Sequence, residues 1–161
     1  MVLLAGCSSI PYATPGPNDP KAFLTIGNRA QYAIHAYTHH DPKTCEGVHS
    51  IATGRGSTIN QNELGKNSEF VLPIHADKPF GLWLTVSRPD PSRANYVIGC
   101  DQVVTFTPQR DISYLAEFIY EPPRCVIRVS EDRAGAQVPV PVLYRKQMPT
   151  SLARPSTWCS P

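Results

Sequence analysis

The stretch FGLWLTVS, Phe80 to Ser87, decides the fold. Phe80, Leu82, Leu84 and Val86 share one side of an extended chain, with Gly81, Trp83 and Thr85 on the other. Successive side chains of a strand point to opposite faces, so an apolar set with a period of two buries one face of a sheet. The same short, β-branched and aromatic pattern recurs in AFLTIGN, QYAIHAYT, EFVLPIHA, NYVIGC, QVVTFTP, YLAEFIY and CVIRVSE. Turn signals separate these runs: Gly27-Asn28, Asp41-Pro42, Thr53-Gly54-Arg55-Gly56, Arg88-Pro89-Asp90-Pro91 and Pro122-Pro123. No stretch of ten residues reads as a helix, and INQNELGKN holds one turn at most. The expected fold is all-β, an antiparallel two-layer β-sandwich.

Two stretches refine this expectation. In YLAEFIY, Tyr114, Ala116, Phe118 and Tyr120 alternate with Leu115, Glu117 and Ile119, so both faces are fairly apolar and the strand is central. VPVPVLY, Val138 to Tyr144, carries two prolines in alternation and reads as an edge strand, because proline cannot donate to a ladder on both sides. Within FTPQRDISYLAEF, Tyr114 opens a strand just after a polar turn at Asp111. That corner resembles those of immunoglobulin-like and transthyretin-like sandwiches, where a tyrosine hydroxyl satisfies nearby backbone. The resemblance implies a structural role for Tyr114. Trp83, on the less apolar side of its strand, reads as core, with an outward binding anchor as the alternative.

Five cysteines are present, Cys7, Cys45, Cys100, Cys125 and Cys159, without a C-x-x-C pair or zinc-like spacing. Four lie in the body and fit two disulfides in an oxidising compartment. Four cysteines allow three pairings. The preferred one is Cys100–Cys125 with Cys45–Cys159, since Cys100 shares parity with Val104 and Phe106, and Cys125 with Ile127 and Val129. A Cys45–Cys159 bond would pin the Pro-rich tail MPTSLARPSTWCSP, worth about 2 to 5 kcal/mol, with Trp158 beneath the clamp.

Cys7 is left over, and it ends the run Leu4-Ala5-Gly6-Cys7. This run resembles the lipobox of bacterial lipoproteins. In that family the cysteine is diacylated through sulfur, freed from its signal peptide and acylated again on the new amino group. Only Met1-Val2-Leu3 precede the motif, short of a charged n-region and an apolar h-region, so the true start is expected upstream. Ser8 rather than Asp follows the cysteine, which in this family implies transport to the outer membrane. The expected organisation is a signal remnant over 1–7, a Pro/Ser-rich tether over 8–22, a sandwich over 23–145 and a tail over 146–161. As a free, semi-extended chain, such a tether would hold the body some 40 Å off a bilayer, at about 3.1 Å per residue.

Composition narrows the function. The 161 residues carry 17% charged residues and a net charge of +2, without the clustered Lys and Arg of a nucleic-acid surface. Arg145, Lys146 and Arg154 make at most a mild basic patch. No run of about 18 to 20 apolar residues could cross a membrane as a helix, so a membrane would be met through the anchor. There is no G-x-S-x-G elbow, GRGST lacks the context of a phosphate loop, and Glu117, Glu121 and Asp132 read as a solvated face. No enzyme, no cofactor and no metal site are expected. His39, His40 and His75 are the loop histidines that a ligand- or metal-binding module would use. His35 and His39 would stand about 13 Å apart along one strand, too far to share an ion. The expected protein is a periplasm-facing, lipid-anchored adaptor or accessory component of a cell-envelope assembly. Its expected partners are the membrane and an envelope protein. Small sandwich lipoproteins of similar architecture occur in secretion machines, including the type VI membrane complex.

Overall fold

The computed structural model describes residues 10–51, 62–89, 97–122, 124–147 and 159–160. The lipobox residues Leu4 to Cys7, the GRGST loop, Arg154 and Trp158 lie outside them. The described residues contain strands and no helix. The strands are β1 (Ile10–Pro11), β2 (Lys21–Asn28), β3 (Ile34–Asp41), β4 (Glu46–Ser50), β5 (Glu63–Leu64), β6 (Glu69–His75) and β7 (Phe80–Pro89). They continue as β8 (Val97–Phe106), β9 (Ser113–Glu121), β10 (Arg124–Arg133), β11 (Ala136–Pro139), β12 (Leu143–Gln147) and β13 (Cys159–Ser160).

They form two sheets. The larger has the order β1-β4-β3-β7-β8-β12-β13, with β5 also paired to β3; the smaller has the order β11-β10-β9-β2-β6. Phe80, Leu82, Leu84 and Val86 are all buried and meet Leu24, Ile26, Ala116, Phe118 and Ile127 of the smaller sheet in one core. FGLWLTVS therefore packs in the register its alternation demands, and the fold is a two-layer β-sandwich. β9 is flanked by β10 and β2 and is central, as its two apolar faces require.

Three expectations are corrected. The sheets are mixed rather than wholly antiparallel: β2 runs parallel to β9 from Phe23↔Ser113 to Asn28↔Phe118, and β1 runs parallel to β4. Alternation fixes which face is buried but is indifferent to strand direction, so only the chain path decides this. VPVPVLY is not one edge strand. Its first part belongs to β11 at the edge of the smaller sheet, and its last residues join β12 beside β8 in the larger. The Pro141 region is the crossing, where a residue without an N–H loses no ladder bond. Part of the run expected to be a free tether is docked on the sandwich. Ile10 and Pro11 pair with His49 and Ser50, Tyr12 N–H donates to the Ser50 carbonyl at 2.9 Å, and the Tyr12 ring meets Phe80 edge-on at 6.0 Å. Residues 16–19 close a turn through the Asp19 carboxylate, which accepts from Gly16 N–H at 2.8 Å. An apolar ring with a core slot to fill overrides the extended preference of its Pro-rich flanks.

Both disulfides of the preferred pairing form, Cys100–Cys125 and Cys45–Cys159. Cys100–Cys125 links β8 to β10 and so bolts the two sheets together. Cys45–Cys159 ties the turn between β3 and β4 to the last strand. Tyr114 behaves as the corner resemblance implies: it is 3% exposed, and its hydroxyl accepts the Gln109 N–H at 2.9 Å. Asn28, legible only as a turn signal, is fully buried. Its amide donates to the carbonyls of Tyr32, Leu64 and Gly65, and its oxygen accepts from Ala30 N–H. Such a satisfied buried amide knots β2 to β5.

Candidate functional site: a histidine-lined pocket

β3 ends, β6 ends and β7 begins at the same end of the sandwich. There a pocket of about 280 Å³ opens. Tyr12, Ala13, Pro79 and Phe80 supply its apolar walls, and His40, His49, His75 and Lys78 its polar groups. Thr38 and His39 complete the lining from β3.

The local sequence explains the gathering. β3 and β4 form a hairpin around the Asp41-Pro42 turn, with Thr38↔His49 and Asp41↔Glu46 in register. His40 and His49, nine residues apart in sequence, therefore lie side by side, with ring centroids 6.2 Å apart and planes 19° from parallel. The close approach needs Gly47, which has φ +65°; a Cβ there would meet the His40 Cβ at 2.8 Å. β6 and β7 meet through the Ala76–Pro79 connection, which brings His75 and Lys78 to the opposite wall. Tyr12 arrives on the docked N-terminal strand. Burial holds its hydroxyl above the ordinary tyrosine range, an effect partly offset by the backbone at His75.

His39 behaves differently from its neighbours. Adjacent residues of a strand face opposite ways, and its ring stacks on Trp83 at 6.0 Å, on the face of the larger sheet away from the main core. Tyr37 stacks on the same indole at 4.6 Å. A second small core forms here from Cys45, Val103 and Cys159, with Trp83 packed against it. Trp83 is thus neither in the inter-sheet core nor an exposed anchor. It packs against the Cys45–Cys159 clamp. His39 is 5% exposed, and neither ring nitrogen has a hydrogen-bond partner. Burial first, and the nearby His49 second, push its pKa down to about 4, so the ring is neutral.

Of the three expected loop histidines, His40 and His75 present themselves to the pocket. His39 lines it from β3 but turns its ring away. His49, Lys78, Tyr12 and Phe80 join them. The signal for His49 was present in sequence, since a hairpin about Asp41-Pro42 places residues 40 and 49 together. Tyr12 had no such signal, because nothing in a Pro-rich run marks it as docked. Among the described residues, no three His, Cys, Asp or Glu side chains are placed to hold one metal ion. The carboxylates read as a solvated face are occupied: Glu117 accepts from Arg29 at 2.9 Å, and Asp132 accepts from Gly135 N–H at 2.7 Å. Arg145 donates to the Lys43 carbonyl at 2.9 Å; Arg154, a further member of the expected basic patch, lies outside the described residues.

Among the described residues, no helix is long and apolar enough to cross a membrane. Comparison with protein-family models, with curated proteins and with solved structures yields no match for this chain.

Proposed function

We propose that the protein is a lipid-anchored, periplasm-facing sandwich that serves a cell-envelope assembly as a non-enzymatic adaptor. One observation carries this reading. Four cysteines are spent on two disulfides, and the fifth is the one that ends Leu4-Ala5-Gly6-Cys7. Protein disulfides persist in oxidising compartments and are rare in the cytosol. A chain with paired body cysteines and one unpaired cysteine at a lipobox-like run fits export followed by acylation. Three acyl chains on Cys7, at about 0.8 kcal/mol per buried methylene, would hold the body permanently at a bilayer.

The docked N-terminus supports a close-set geometry. Only Ser8 and Ser9 separate Cys7 from β1, so at no more than about 3.3 Å per residue the larger sheet's β1–β4 edge would lie within about 10 Å of the anchor. The smaller sheet then offers its open edges, β6 and β11, for strand addition by a partner. Two measurements in cells test the proposal. Cys7→Ser, exported behind a signal peptide whose cleavage needs no acylation, should move the protein from the membrane fraction to the soluble periplasm. Photo-cross-linking residues at Val71 and Val138, on those two edges, should each be tried for a discrete adduct with an envelope protein. No adduct at either edge would contradict the adaptor role, and retention of Cys7→Ser in membranes would contradict the anchor.

A further inference from the structure

We infer that the histidine-lined pocket is a binding site for a small organic anion with a flat apolar body, a function independent of the anchor. Its lining combines features that a mere surface dent lacks. Hydrogen-bond donors converge there: Lys78 carries a positive charge, and His40, His49 and His75 can each donate an N–H. The lining holds no carboxylate. The two nearest in sequence are engaged elsewhere. Asp77 holds Arg110 at 3.5 Å, and Asp41 accepts the Lys43 N–H at 2.8 Å. Among the described residues that line the pocket, no carboxylate is present to pair with these donors.

The remaining walls are largely apolar, with the buried Tyr12 hydroxyl among them. Tyr12 and Phe80 meet edge-on at 6.0 Å and belong to or pack against the main core, and the His40 and His49 rings lie nearly parallel. A volume of about 280 Å³ falls just below the ~300 to ~1,000 Å³ of drug-sized sites and so suits a smaller compound. Small apolar cavities with a few convergent donors bind compounds whose charge meets the donors and whose body fills the walls. An aromatic carboxylate meets both demands. A bare inorganic anion leaves the walls wet, and a cation meets Lys78.

Benzoate is the probe, titrated into the full 161-residue chain while the ring signals of the histidines are followed by NMR. Saturable shifts of His40, His49 and His75 are expected, with a dissociation constant of about 1 mM or tighter. Acetate, benzyl alcohol and benzylamine should each bind about tenfold more weakly, having lost either the body or the charge. Lys78→Gln and His40→Gln alter exposed side chains and leave the core intact; each should weaken benzoate about tenfold. Three results would overturn the inference: no saturable shift, benzylamine binding as tightly as benzoate, or acetate binding as tightly as benzoate. The comparison of probes uses the unaltered chain, so it decides between these outcomes even where a variant folds poorly.

Discussion

His39 shows how a single residue couples burial to acidity. Its neutral ring lies under Trp83, with Gly81 close against it; a Cβ at position 81 would lie 3.5 Å from Nδ1. The native ring resists a proton that the unfolded chain accepts readily. Between the ordinary value of 6.5 and the native value of about 4, the unfolded state therefore binds more protons. Stability contributed by this group is complete above the ordinary value and falls as pH drops toward 4, by about 3 kcal/mol in total. Urea unfolding of His39→Phe is expected to lose that part of the acid dependence while keeping the ring stacked on Trp83. A variant with the same slope of stability against pH as the parent would refute the assignment. The residue type gave no hint of this role, because parity places His39 on the outer face, where a histidine is ordinarily solvated.

At the scale of elements, the two disulfides act on different structures. Cys100–Cys125 closes a separation of 25 residues and joins the sheets across the core, whereas Cys45–Cys159 closes 114 and holds the last strand over Trp83. Loop-closure entropy assigns about 3.5 kcal/mol to the first and about 4.8 to the second. Cys45→Ala with Cys159→Ala is therefore expected to lower the unfolding free energy more than Cys100→Ala with Cys125→Ala. In a Trp158→Phe background it should also shift Trp83 emission to the red in the folded state. An unshifted emission would show that something other than the clamp covers the indole. Strands with strong apolar alternation were legible in sequence, as Phe80 to Val86 and Tyr114 to Tyr120 show. β4 was not: Glu-Gly-Val-His-Ser has little intrinsic preference and is a strand because β3 offers it a partner. The parallel seating of β2 beside β9 and the sheet change within VPVPVLY were equally hidden, since both follow from chain path rather than from local pattern.

Over the whole molecule, the fold provides a body bolted by two disulfides. One end holds the histidine pocket, with Tyr12 threaded into it from the N-terminal strand. That threading ties the pocket to the proposed anchor, because the five residues from Cys7 to Tyr12 span about 17 Å at most. The pocket was half legible: the histidines were, but their company was not, because His49 and Lys78 come from separate connections and Tyr12 from a run with no periodicity. The pairing of Cys100 with Cys125 was legible by parity, and Cys45 with Cys159 followed as the remaining pair.

The most direct test of that function is the mass of the N-terminal peptide of mature protein, produced from the full-length gene in a bacterial host. The account predicts a chain that starts at Cys7 and carries acyl groups on both its sulfur and its amino nitrogen. A peptide that runs through residue 7 with an unmodified thiol would contradict it.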